Sequence, residues 1–298
     1  MAAECKTDSR TFFTCGTPQE WKYILTVYKD AVRLKAQQKN KKPEELLKLD
    51  SWYQDELPKL IQSRKERHIT HDELVQVMKW KLARGKWRPR LTDLVRMNTQ
   101  LTVTEASRKA FKRLPNLARA VPALCTLKGV GPGTASAILA AASPECAPFM
   151  ADECVLCMPN VDSVDYTVQE YLSFARQIQT VAGRLNECDK SRHWTAHRVE
   201  MALWTHYIVR ELNPTLLNLM PIVGDEDGIK NGKSAASQVE HTKSSAVTSE
   251  NGEDSSASTS KSEPDEETSS HVDETQSGTE DTNDGEDEQP LTKKSKSE

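Results

Sequence analysis

From Ile222 to Glu298 the sequence has no phenylalanine, tryptophan, tyrosine or arginine. A segment so poor in aromatics cannot bury enough apolar surface to offset the entropy of ordering, so disorder is expected there. No run of about 20 apolar residues occurs that could span a membrane, so no membrane partner is expected. The opening "MAAECKTDSR" has no apolar core, so no secretory signal is expected. Period-two alternation and internal repeats are lacking too, which argues against strands and solenoids. The seven cysteines are odd in number and mostly scattered, which fits free thiols in a reducing compartment rather than a disulfide framework.

Charge divides the 298 residues into two different polymers. Residues 222–298 carry 20 Asp and Glu against 7 Lys, a net of −13, and residues 1–221 carry 33 basic against 24 acidic residues, a net of +9. The overall −4 conceals this split. The expectation is therefore a basic folded domain, 1–221, and an acidic, Ser-rich tail, 222–298. The tail ends "PLTKKSKSE", where Lys293, Lys294 and Lys296 form a basic cluster of the kind that directs nuclear import.

The front part reads as all-α. "TPQEWKYILTVYKDAVRLKAQQ" opens with Thr17 as N-cap, Pro18 at the first helical position and Glu20 completing a capping box. Trp21, Ile24, Leu25, Tyr28 and Val32 follow on one face. A basic connector, "KNKKPEELLK", precedes "SWYQDELPKLIQSRKE", which reads as two short helices split near Pro58. Thr70 and Glu73 form a second box before Leu74, Val77 and Met78. Thr104 reads as the cap of "VTEASRKAFKRL". Beyond residue 165, Val168, Tyr171, Leu172, Ala175, Ile178 and Leu185 make one stripe. The last helix, "HWTAHRVEMALWTHYIVREL", is apolar on nearly all sides and is expected deep in the domain. Its tryptophans, Trp194 and Trp204, are expected in the core, and its histidines packed or solvated.

The most informative stretch is "TLKGVGPGTASAILAAASPECAPFMADE". "NLARAVPALCTL" before the glycines and "GTASAILAAA" after them read as helices, giving a hairpin over about 116–142. Gly129 and Gly131 allow a tight turn, and Pro132 presets the next helix. Backbone N–H groups at such a turn and helix start can hold a phosphate. By itself this is equally a plain αα-hairpin.

In its longer context, "LKGVGPGTASAILA" resembles the helix-hairpin-helix of the DNA base-excision glycosylase superfamily. That family places an Asp beyond the second hairpin helix, after a Pro-containing loop. Here "SPECAPFMADE" supplies Asp152, 21 residues after Gly131. The resemblance covers about 30 residues. It implies that the hairpin residues Gly129, Val130, Gly131, Gly133 and Thr134 hold a DNA phosphate while the target base is flipped out. It implies that the Asp152 carboxylate stabilises the positive sugar and orients or deprotonates water. Bifunctional members carry a lysine where this chain has Gly133, so the resemblance implies a monofunctional enzyme without lyase chemistry. Two departures follow Asp152: Cys154 stands where a histidine is frequent, and Pro159 comes soon after. Cys154 and Cys157 form a C-x-x-C without the closely spaced four-cysteine set of iron–sulfur members. No metal and no cofactor is expected.

A basic stretch, "KWKLARGKWRPR", sets Lys79, Lys81, Arg84, Lys86, Arg88 and Arg90 around Trp80 and Trp87 without an acid. Cations for phosphates and rings for bases suit a nucleic-acid surface, so Lys79, Lys81, Arg84, Lys86, Trp87, Arg88 and Arg90 are candidate DNA contacts. Two functional classes remain open from sequence. One is a nuclear glycosylase-like enzyme using Asp152. The other is a non-catalytic DNA-binding or protein-interaction module of the same fold. Protein partners would engage the acidic tail.

Overall fold

The structure is a computed structural model; it describes Cys5 and residues 7–39, 43–190 and 193–221. The acidic tail and its terminal lysines lie outside these residues. The described part is mostly helical, and no strand occurs among the described residues.

The first helices with described bounds are α1 (Ser9–Cys15), α2 (Pro18–Thr26) and α3 (Tyr28–Lys39). The Thr17–Glu20 capping box starts α2 as its sequence requires. α4 (Pro43–Ser51) then passes through a π turn at Trp52–Glu56 into α5 (Leu57–Ser63). Part of the expected connector is thus helical. The segment is in two short pieces, the π turn and α5, which meet beside Pro58, and the proline sits in the first turn of α5, where a missing N–H is tolerated.

α6 (His71–Arg84) starts on the Thr70–Glu73 box and buries Leu74, Val77 and Met78 completely. α7 (Pro89–Arg96) and α8 (Gln100–Phe111) follow. The cap of α8 is Thr99, paired with Thr102, so Thr104 lies inside the helix rather than at its start. α9 (Leu117–Leu124) and α10 (Pro132–Ala142) flank the glycine turn. α11 (Asp152–Val155) is a single turn, and α12 (Val168–Cys188) and α13 (Ala196–Leu212) complete the core before a short 3-10 segment, Pro214–Leu219.

Two helices organise the packing. α13 lies against α1, α2, α3, α11 and α12, which is why it is apolar on nearly all sides. α10 lies against α5, α6, α9 and α12. Every residue of α10 except Pro132 is buried, and its alanines let these partners approach closely. α6 packs against both α3 and α4 on one side and α10 on the other, so it joins the two groups. Its Trp80 stacks flat on Tyr53 at 3.5 Å and donates to Asp50 at 3.0 Å.

Candidate active site

The turn between α9 and α10 is shaped by one residue. Gly129 has φ +76, and a Cβ there would come within 2.8 Å of the Leu94 Cβ. Only glycine meets both conditions without strain. Asn98 holds the neighbouring peptide from both sides, accepting from the Lys128 N–H at 2.9 Å and donating to the Lys128 carbonyl at 3.0 Å. Gly131 is the N-cap of α10, exposed and without a side-chain cap. The N–H groups of Gly129, Gly131 and Gly133 donate no hydrogen bond to any described residue. Val130 and Thr134 are buried and support the turn from within.

α10 also positions the loop that delivers Asp152. The Ser136 hydroxyl donates to the Gly133 carbonyl at 2.9 Å and accepts from the Met150 N–H at 2.9 Å. The Tyr171 hydroxyl donates to the Pro148 carbonyl at 3.3 Å. Phe149 packs on Trp80. These three ties fix the two sides of residues 148–150, and Asp152 opens α11 directly beyond them.

Asp152 points into a small cavity lined by Lys81, Gly85, Lys86, Arg88, Met150 and Tyr166. Its Oδ1 accepts a short hydrogen bond from the Tyr166 hydroxyl. Its Oδ2 is buried, accepts no well-formed hydrogen bond, and faces the Lys86 ammonium at 3.1 Å. Glu153 also lines this cavity, and its carboxylate pairs with Lys35 at 3.3 Å.

Tyr166 is the residue that sequence reasoning missed. Its φ is +57, a strained position for a bulky side chain. Glu170 holds it there, accepting from the Tyr166 N–H at 2.7 Å and from the Asp165 N–H at 3.1 Å. The ring lies over Gly133, 3.2 Å from where a Cβ would stand. The Arg88 guanidinium sits 5.1 Å above the ring. Burial, with the Asp152 hydrogen bond, pushes the phenol up to about 12, so it remains a donor at neutral pH. The only sequence signal available was the glycine at 133, which leaves space for a neighbour's ring.

The cavity is about 20 Å³, room for one water. A larger open groove of about 780 Å³ runs past Lys79, Trp87, Pro89 and Arg96, with Glu45 and Asp93 on its rim, and Asp152 is not among its lining residues.

The basic stretch is divided by helix geometry. Lys79, Lys86, Trp87, Arg88 and Arg90 are exposed, with Trp87 at 69 %. Lys81 is half-buried and turns to the Asp152 cavity. Arg84 corrects the expectation of a DNA contact. It is fully buried, bonds Glu200 Oε1 with both terminal nitrogens at 3.1 and 3.0 Å, and lies 4.1 Å over the Trp204 ring. Such a guanidinium has no access to a phosphate. Trp80 and Trp204 are likewise core.

Cys154 and Cys157 are buried thiols whose sulfurs lie against the Glu200 and Glu153 carbonyls. Burial pushes both up, Cys157 to about 12. Among the described residues no cluster of three or more His, Cys, Asp or Glu could hold a metal ion.

Compared with known proteins, the chain matches no family model, no curated protein and no solved structure. The functional reading therefore rests on the site itself.

Proposed function

We propose that this protein binds DNA through the glycine turn and the exposed basic strap, and that it is a glycosylase-like enzyme acting on a flipped base. The observation that carries the reading is the link between the start of α10 and Asp152: Gly133 lies against the Tyr166 ring, and the Tyr166 hydroxyl bonds the Asp152 carboxylate. The helix that begins at the unpaired N–H groups of the turn also holds, through Ser136, the loop that aims the carboxylate. A phosphate on the Gly131 and Gly133 amides would set the adjoining nucleotide beside Asp152. Lys86, Arg88 and Arg90 would neutralise flanking phosphates, and exposed Trp87 offers a face for a base.

In this reading, Asp152 stabilises positive charge developing on the sugar and orients the attacking water. Tyr166 and Lys86 hold the carboxylate. A nucleotide does not fit a cavity for one water, so both must swing aside when DNA enters. Gly133 supplies no nucleophile, and base release is hydrolytic. Nuclear residence, through Lys293, Lys294 and Lys296, belongs to the same proposal.

The closed cavity also favours a second reading, in which the fold binds DNA without catalysis. A screen of the full chain over duplexes bearing damaged or mismatched bases separates the two. Base release should appear on at least one duplex and fall about 10²-fold or more in Asp152→Asn. Release that is equal in the two proteins would remove Asp152 from its role. Binding without release on any duplex would leave the second reading.

A further inference from the structure

We propose that the cavity among α3, α4, the π turn and α13 binds an aliphatic diamine, with one ammonium on Asp50 at its floor and the second on Asp55 at its rim. The inference goes beyond the DNA reading and does not depend on it.

The cavity is about 320 Å³, at the lower end of small-ligand pockets. Asp50, in the last turn of α4, lines it although only 7 % of the residue is exposed. Its two carboxylate oxygens differ. Oδ1 accepts from the Tyr28 hydroxyl at 2.8 Å and from Trp80 Nε1 at 3.0 Å. Oδ2 accepts a hydrogen bond from no described residue, yet it is not among the oxygens sealed in the core. It is therefore the atom that Asp50 turns to the cavity. The Tyr28 hydroxyl is held in place from behind: Gln54 Nε2 donates to it at 3.0 Å, and Gln54 Oε1 meets His197 Nε2 at 2.9 Å.

Among the described residues, no cation comes within the 4.0 Å of an ion pair with Asp50. The buried Arg84 guanidinium is already paired with Glu200. At the rim, Arg33 pairs with Asp30 at 2.6 Å, and Lys29 is exposed. Asp50 is thus a buried carboxylate with two neutral donors and no direct counter-charge, a costly state that a cation at Oδ2 would relieve. Burial pushes its pKa up, while the Trp80 hydrogen bond, the Arg84 charge and the Tyr28 hydrogen bond oppose this.

The π turn supplies the second acid. It follows α4 directly, and its wider winding brings Asp55, five residues after Asp50, to the same cavity. Single π turns inside helices recur at functional sites. Asp55 is exposed, and its Oδ2 accepts from the Ser51 hydroxyl at 3.3 Å. Val32, Leu47 and Met201 give the cavity apolar wall. Such walls suit methylene groups rather than a hydrated metal ion. Methylenes against them, with an ammonium at each acid, describe a short alkyl diamine.

The test is titration calorimetry of the full chain with putrescine and with butylamine, which has a single ammonium, at matched ionic strength. Putrescine should bind saturably at one site per chain, about two- to fivefold tighter than butylamine, as expected of one exposed ion pair. Asp50→Asn keeps an acceptor for Tyr28 and Trp80 and should weaken putrescine at least about tenfold. Asp55→Asn should weaken putrescine about two- to fivefold and leave butylamine unchanged. Met201→Trp, which fills the cavity from its wall, should abolish binding, and it decides the matter if Asp50→Asn does not fold. The acidic segment 222–298 is common to all these proteins, so amine attracted to it does not change among them. Putrescine affinity equal across the variants would overturn the proposal, and so would no saturable binding up to about 10 mM. Butylamine binding as tightly as putrescine would overturn the diamine and leave a ligand with one ammonium, such as a lysine side chain.

Discussion

Arg84 belongs to a basic run of sequence, yet its guanidinium lies in the core. Helical spacing accounts for this. Arg84 is seven residues after Val77 and four after Trp80, on the buried face of α6, and Glu200 is the buried acid of the largely apolar helix α13, whose other acid, Glu211, is exposed at its end. Two opposite charges on apolar stripes were a legible pair; reading the basic run as one surface hid it. The exposed members, Lys86, Arg88 and Arg90, follow the helix end, where no such stripe operates. Removing one partner of a buried pair strands the other. Arg84→Ala and Glu200→Ala should each cost about 3–5 kcal/mol in urea unfolding, with the double variant costing clearly less than the sum. Single losses below about 1 kcal/mol would contradict the burial seen here. A second buried group sets a pH dependence. His206 bonds Ser9 and the Cys5 carbonyl, and burial pushes it from 6.5 down to about 4. The unfolded chain takes up this proton near pH 6.5, the folded chain only near 4. The unfolded state thus binds more protons in between, and stability is lost as pH falls through that window, by about 3 kcal/mol in all. Denaturation midpoints measured from pH 7.5 to 4.5 should fall, and less steeply in His206→Asn.

At the scale of elements, capping chemistry was the most reliable guide. Thr17–Glu20 and Thr70–Glu73 each placed a helix start correctly, because a side chain satisfying an orphan N–H works locally. Thr104 failed because an equivalent box at Thr99–Thr102 lay one turn earlier, closed by a threonine in place of the usual Glu or Gln. Pro58 marked the join of two pieces, the π turn and α5, because a proline is tolerated only in a helix's first turn. The hairpin's two helices were legible, and so was the position of Asp152 beyond them. Tyr166 was not, since it reaches the site from a loop without periodicity and in a strained backbone state. The turn makes a paired prediction. Gly129→Ala should cost about 1–3 kcal/mol, because both its φ and its contact with Leu94 resist a side chain. Gly131→Ala meets no atom within 4 Å at an ordinary φ, so stability should stay level or rise by up to about 1 kcal/mol. Equal losses at both positions in thermal unfolding would refute this account of the turn.

At the scale of the whole molecule, the sequence is a +9 segment followed by a −13 segment. The all-helical character of the first was legible from its capped, amphipathic runs. No helix among the described residues is long and apolar enough to cross a membrane. The exposed strap at 86–90 concentrates positive charge beside the glycine turn and Asp152, and this is where the DNA reading is most exposed to test. If the acidic segment competes for that strap, deleting 222–298 should tighten duplex binding. The most direct measurement is therefore the duplex affinity of the full chain across a salt series, beside a variant with Lys86, Arg88 and Arg90 changed to alanine. The account predicts that log affinity falls linearly with log salt, and that the variant's slope is shallower by about three. Absence of duplex binding at about 50 mM salt, with or without residues 222–298, would contradict it.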